Sequence, residues 1–352
     1  MDVLIIYPFC TFGGVERVIL NRAKLFKQHN QDVRISVAYL RDRGALKSFQ
    51  DYLRANKLEA QLGAFILQNV SELDLRKYDF IFVIDAPEIL EALSDVPNLF
   101  IECHTPYREY RQYLGNLPSN LRGIVTPSVA FKEIIESEFP NLPPVWALPN
   151  MVSPEFFDIP APKSPPVFLR SPLTYFARLE DLKNFIEAAR IFELFAQQQD
   201  TMFIVLGEGA DRPETFQSMQ RKGLLAKSLL RPHLDFDKIP EFIGLVRQHH
   251  GIFISPSKGE SFGLSAAEFM TGGVPVLLSD IPCHRELVED NPRFLYPLGD
   301  IFEARDKILR LQQDWQAASR QMLLFREKFR GDRFIAAWQG FLAAQNHSER
   351  TR

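Results

Sequence analysis

Pro256-Ser257-Lys258-Gly259-Glu260-Ser261-Phe262-Gly263-Leu264-Ser265-Ala266-Ala267-Glu268 follows an apolar run at 251–255 and precedes Gly272-Gly273-Val274-Pro275-Val276-Leu277-Leu278. This order predicts a helix over 264–271 between two buried strands, 251–255 and 274–278. A strand that turns through glycine into a helix leaves free backbone N–H groups and the positive end of the helix dipole facing one point. That arrangement suits a phosphate. Two carboxylates flank it, Glu260 in the turn and Glu268 one turn inside the helix. Their spacing is too wide for a helical i, i+4 pair, so they suit opposite ends of one extended ligand. A glycosidase pair would instead flank a single bond. Glu268 lies among Leu264, Ala267, Phe269 and Met270, where a carboxylate needs a purpose. Two adjacent hydroxyls, such as a ribose diol, would satisfy it.

Working back toward the N-terminus, the same strand-and-helix rhythm recurs. Strands are expected at 173–176, 202–206 and 252–254, and helices at 181–197, 238–249, 283–289 and 301–329, with a last helix from about 332 to 344. In Ala177-Arg178-Leu179-Glu180-Asp181-Leu182-Lys183-Asn184, Arg178 falls just past a strand and Lys183 opens the next helix. Two cations there suit a diphosphate leaving group, whose charge grows as the bond to it breaks. Pairing with Glu180, Asp181 or Glu187 on a solvated surface is the simpler alternative. Asp235-Phe236-Asp237 has the form of an Asp-x-Asp metal motif but precedes a helix and reads as a capping region. Glu208 to Asp211 reads as a turn. No cluster has credible metal spacing.

Residues 149–172 hold seven prolines and read as an interdomain linker. Before them the rhythm starts with a strand at 3–7, a turn through Gly13-Gly14, a helix at 15–26 and a strand at 33–39. In that helix Arg22 is expected to lend only its aliphatic stem to the apolar face. Further strands are expected at 80–84, 99–103, 124–126 and 145–148, with a helix at 128–138. His104 ends one of these strands ahead of a proline turn. It is therefore expected to face a ligand crevice, unlike His29, His249, His250 or His347. The stretch 17–57 is locally basic and reads first as solvated helix faces, second as a patch for an anionic acceptor or a membrane surface.

The bulk properties fit this division. The 352 residues exceed one ordinary core and suit two domains. With 46% hydrophobic residues, 24% charged residues and a net charge of −3, nothing suggests disorder or nucleic acid. Three scattered cysteines argue against a disulfide framework and for a reducing compartment. The N-terminus is too soon broken by Pro8 to be a signal peptide, and no apolar run nears the roughly 20 residues of a spanning helix.

Gly13-Gly14-Val15-Glu16-Arg17-Val18, Arg178-Leu179 with Lys183-Asn184, and Glu260 to Glu268 followed by Gly273-Val274-Pro275-Val276 and Ser279-Asp280-Ile281-Pro282 together resemble the retaining glycosyltransferases of family 4. The resemblance runs in order over nearly the whole chain. It implies the GT-B fold, an α/β architecture of two doubly wound Rossmann-like domains facing a central crevice. Residues 1–155, completed by a C-terminal helix 332–352, would be the acceptor-binding domain, and 165–331 the nucleotide-sugar domain. Trp338 and Phe341 would pack that last helix onto the first domain.

The resemblance also implies roles. Gly13 and Gly14 would bring amides close to the donor, while Arg178 and Lys183 would hold the diphosphate. Glu260 would bind sugar hydroxyls, with the amides of Phe262, Gly263 and Leu264 beside sugar and phosphate. Glu268 would bind the ribose, and His104 would stand near the sugar and acceptor. Ala177, Ser261 and Thr271-Gly272 depart from the usual residues without removing a charge. The implied reaction moves a hexose from a nucleoside diphosphate sugar to an acceptor hydroxyl with anomeric retention and without a metal. The setting would be bacterial cell-surface glycan or glycolipid synthesis by a cytoplasmic protein, with peripheral contact at the inner face of the membrane as a further option. Two other readings share the fold: a nucleotide-sugar 2-epimerase, and a non-catalytic sugar-nucleotide-binding subunit.

Overall fold

The computed structural model describes residues 1–11, 13–160, 170–209, 212–232 and 234–350, without the side chains of Arg212 and 347–350. The chain divides into two compact units: residues 1–151 with the segment from Gly331 onward, and residues 152–330. Part of the expected linker, 161–169, lies outside the described residues.

The first unit runs β1 (Asp2–Cys10), α1 (Gly14–Gln28), β2 (Arg34–Asp42), α2 (Leu46–Ala55), β3 (Leu62–Ile66), β4 (Phe80–Ile84), β5 (Leu99–Glu102), β6 (Gly123–Thr126), α3 (Val129–Glu138) and β7 (Val145–Ala147). The strands form one parallel sheet in the order β3-β2-β1-β4-β5-β6-β7. Its central strands are near-continuous apolar runs because helices cover both faces of such a sheet. β1 continues past the expected end at Tyr7, through Pro8 to Cys10. Beyond Ile6 it pairs with β2 alone, so the missing proline N–H costs no bond on the β4 side. The sequence pattern did not announce α2 and β3. α2 buries only Phe49 and Leu53, and β3 is a half-exposed edge strand.

The second unit runs β8 (Ser171–Phe176), α4 (Phe185–Ala196), β9 (Thr201–Leu206), α5 (Arg212–Arg221), β10 (Ser228–Arg231), α6 (Ile239–Gln248), β11 (Ile252–Ser255), α7 (Leu264–Thr271), β12 (Val276–Ser279), α8 (Pro282–Val288), β13 (Leu295–Tyr296), α9 (Ile301–Gln313) and α10 (Trp315–Phe325). Its sheet is also parallel, in the order β10-β9-β8-β11-β12-β13. β8 takes in Pro172, which pairs with β9 only. The helix expected from 181 starts at Phe185, because Asn184 adopts a left-handed backbone (φ 54°) after a 3-10 turn over Asp181–Lys183. The long helix expected over 301–329 breaks at Asp314, between α9 and α10.

The last helix, α11 (Gly331–Arg350), belongs to the first unit. Phe341 packs against Phe80, Phe100 and Trp146 at ring-centroid distances of 5.7, 5.2 and 5.4 Å, and Trp338 against Phe26 at 5.7 Å. In both sheets the strand order reverses once, between β1 and β4 and between β8 and β11. Ligands of open parallel sheets bind beyond the carboxyl ends of the strands at such a reversal.

Candidate functional site

In the second unit the reversal brings together the loops after β8 and β11. Tyr175 donates to the carbonyls of Arg178 (2.9 Å) and Lys183 (3.3 Å), which fixes the first loop from below. From that loop Lys183 Nζ donates to Glu260 Oε1 at 2.7 Å. Ser257 Oγ donates to the same oxygen at 2.8 Å, and Cys283 Sγ to the Glu260 carbonyl at 2.9 Å. The Glu260 Oε2 atom has no hydrogen-bond partner among the described residues, so one lone-pair-rich oxygen stays available for hydroxyl donors. Burial would raise this carboxyl. Lys183, His284 and the two hydrogen bonds outweigh it and hold Glu260 below the usual carboxylate range. Glu260 is therefore an ionised acceptor at neutral pH, not an acid.

Arg178 and Lys183, expected to act as one cationic pair, are engaged by different carboxylates. The Arg178 guanidinium is well exposed and sits 3.0 Å from Glu180 Oε1, while Lys183 is mostly buried against Glu260. One cation is thus exposed to solvent and the other enclosed.

Behind Glu260 lies a polar chain that the sequence did not reveal. His284 is fully buried and its Nδ1 donates to the Ser279 carbonyl at 2.9 Å. Its Nε2 then faces Ser255 Oγ at 3.4 Å, and Ser255 lies 3.2 Å from Ser257, the residue that donates to Glu260. Burial keeps His284 below the usual imidazole range, despite the opposing effects of Glu260 and Ser279, so the ring is neutral at pH 7.

At the start of α7, Gly263 adopts φ 93°, a conformation only glycine takes readily, and a Cβ there would lie 3.0 Å from Leu287 Cδ1. The glycine turns the chain so that the first amides of α7 have no preceding helix to bond. Phe262 is buried against Phe329, which anchors the turn, and Leu264 packs at the edge of the core. Glu268 is 2% exposed on the inner side of this helix.

In the first unit, β1 leads to Gly13 and Gly14 at the N-terminus of α1. Glu16 folds back under the turn and accepts from the Thr11 and Gly13 amides at 3.0 and 2.7 Å. Gly14 is exposed, and a Cβ on it would touch nothing within 4 Å. Neither backbone strain nor packing explains a glycine there. His104 follows β5, its backbone N–H bonded to both Asp85 oxygens (3.2 and 3.1 Å) and its Nε2 2.7 Å from Glu102 Oε1. Arg22 does not lend merely its stem, as expected. Its guanidinium is buried and binds both Glu102 oxygens, because that carboxylate is itself almost fully enclosed. Burial alone would raise the Glu102 carboxyl; Arg22 and His104 outweigh it and hold it well below the usual range. Asp85 is pushed up to about 6, by burial ahead of the opposing pull of His104. Arg22 and Glu102 lie 80 residues apart and Asp85 and His104 19, separations no local pattern betrays, whereas Glu102 and His104 are only two apart.

Asp235 precedes a 3-10 turn, Phe236–Lys238, that leads into α6. The Glu208 to Asp211 turn lies partly outside the described residues. Among the described residues no group of His, Cys, Asp or Glu could hold a metal ion, and no helix is long and apolar enough to cross a membrane. The basic stretch 17–57 is not one face: Arg22 is buried, Lys47 pairs with Asp51, and Arg43 lies 4.7 Å from the Phe9 ring centroid.

Residues 160–323 match the family model described as Glycosyl transferases group 1. The matched stretch lies within the second unit. Within the chain, 139 residues are 28% identical to the alpha-D-kanosaminyltransferase of Streptomyces kanamyceticus, covering 38% of this chain and 33% of that relative. Among solved structures, TarM matches with a TM-score of 0.76 at 13% identity, covering 96% of this chain and 98% of its own. HepE of Anabaena, solved in complex with UDP, matches with a TM-score of 0.73 at 17% identity, covering 99% and 100%. These likenesses show the fold: two parallel-sheet Rossmann-like domains, as in GT-B glycosyltransferases. Lys183, Glu260, Gly263 and Glu268 all fall inside the stretch that matches this family model.

Proposed function

We propose that the chain is a retaining glycosyltransferase of family 4. It would transfer a hexose from a nucleoside diphosphate sugar to a hydroxyl of a bacterial cell-surface glycan or glycolipid, without a metal. The observation that carries this reading is the Lys183–Glu260 pair at the strand reversal of the second unit. It joins a fixed cation to an ionised acceptor in the loop that leads into α7, whose first amides have no preceding helical turn to bond, and both features support an anionic ligand. In this reading Lys183 and Arg178 bind the diphosphate, Glu260 Oε2 accepts from sugar hydroxyls, the Phe262, Gly263 and Leu264 amides flank sugar and phosphate, and Glu268 accepts from the ribose. The first unit binds the acceptor, with Gly13 and Gly14 giving the donor close backbone approach and His104 beside the transferring sugar. The bond from the anomeric carbon to the diphosphate oxygen breaks as the acceptor oxygen bonds to the same face. The acceptor proton passes to the departing phosphate oxygen. The exposed Arg41, Arg43 and Lys47 support peripheral contact with an anionic membrane face.

A thermal-shift panel of UDP, GDP, ADP, dTDP and CMP tests the reading, with UDP first because HepE was solved with it. One nucleoside diphosphate is expected to raise the melting temperature in wild type and not in Lys183→Ala. No response to any of the five would refute nucleotide-sugar binding. Release of free nucleoside diphosphate only in the presence of an acceptor would separate transfer from epimerisation.

A further inference from the structure

Glu102 and His104 are two residues apart at the end of an extended strand, so their side chains leave on the same side. A carboxylate can only accept, so the 2.7 Å contact requires the proton on His104 Nε2. Glu102 cannot swing away. Arg22 Nη1 donates to its Oε2 at 2.9 Å and Nη2 to the Oε1 that also receives His104. Arg22 is held in turn over the Phe334 ring of α11, 5.3 Å from its centroid. The His104 main chain is fixed separately by Asp85. Among the described residues, His104 Nδ1 has no hydrogen-bond partner.

We infer that Glu102, clamped by Arg22, is a positioning residue that locks His104 in the Nε2–H tautomer and leaves Nδ1 as a hydrogen-bond acceptor for a substrate hydroxyl. His104 thus receives a hydrogen bond from the sugar instead of giving one. The identity of the hydroxyl rests on the transferase reading; the tautomer does not.

The test uses the full chain with 15N-labelled histidine. Two-bond 1H–15N correlation spectra are recorded at about pH 8, above the usual imidazole range. His104 is assigned by difference with His104→Gln. The expected pattern is a single Nε2–H tautomer. An Nδ1–H pattern, or an even mixture, overturns the inference. Arg22→Met with Glu102→Leu removes both charges together and strands neither. In that variant the single tautomer should be lost and kcat for sugar transfer should fall about 10- to 100-fold, while UDP affinity stays within about twofold of wild type. An unchanged His104 pattern in a folded double variant also overturns it. Should wild type bind no nucleotide, the transferase reading fails, while the tautomer is still measured on the same sample.

Discussion

Lys183 Nζ and Glu260 Oε1 lie 2.7 Å apart and join the loops that follow β8 and β11, the two strands at which the second sheet reverses order. The pair gives the site a cation and an anion whose positions depend on each other. Removing either one strands the other in a largely enclosed place.

Lys183→Ala should therefore cost both function and stability. Leaving Glu260 without its cation is expected to lower stability by about 2–3 kcal/mol, somewhat less than for a wholly enclosed pair. Donor turnover should fall at least about 100-fold. The double variant Lys183→Met with Glu260→Gln should regain most of the stability and none of the turnover. Denaturant midpoints and initial rates on the same preparations check this, and recovered turnover in the double variant would contradict the assigned roles.

Gly14 and Gly263 should respond in opposite ways to alanine. At Gly14 a Cβ meets nothing and alanine favours the helix, so the melting temperature should hold or rise while donor turnover drops. At Gly263 the positive φ and the nearby Leu287 should cost about 1–2 kcal/mol as well. Full activity in Gly14→Ala would show that the open space there serves no ligand.

Asp85 supplies a pH signature. Its carboxyl is raised to about 6 from the ordinary 3.8, so the folded state holds this proton more tightly than the unfolded state. Its contribution is fully present below about pH 4 and is lost as pH rises through 6. Asp85→Asn keeps an acceptor for the His104 N–H and carries no charge. The stability gain of the variant over wild type should grow by about 1–2 kcal/mol between pH 4.5 and pH 8, the upper figure being that of a fully enclosed carboxyl and the lower allowing for the solvent contact Asp85 keeps. Urea unfolding at several pH values measures it, and a gain that does not change with pH would refute the burial account.

Membrane contact has its own test. Arg41→Glu, Arg43→Glu and Lys47→Glu together should abolish sedimentation with anionic liposomes at low salt and leave nucleotide binding intact. Equal sedimentation of the triple variant and wild type would remove the membrane from the proposal.

The features legible in the sequence are those dictated by local chemistry. Continuous apolar runs marked β4, β5 and β11; the helix over Leu264–Thr271 was bounded by its glycines; the charges of Arg178, Lys183 and Glu260 stood out in the segments after strands, and that of Glu268 on an apolar helix. What stayed hidden depended on partners distant in the chain. Arg22 looks like a helix-face residue until β5 delivers Glu102 opposite it, and Ser255, Ser257 and His284 look like ordinary residues until β12 and α8 close on them. Edge elements such as β3 and β10 were missed because half of each side-chain row meets solvent, which blurs the apolar pattern. The left-handed Asn184 was missed because its neighbours alone would continue the helix through it.

The return of α11 to the first unit sets an order of assembly. Phe26, Phe82 and Phe100 lie beneath Trp338 and Phe341, so the first 151 residues cannot finish their core until the last helix leaves the ribosome. The second unit is complete by Arg330, where Phe329 accepts from the Val152 amide at 3.0 Å and closes its two chain ends together. The part of the protein synthesised first is thus the part that matures last. A chain cut before Gly331 should carry a folded second unit beside an exposed, aromatic-rich sheet that invites chaperones.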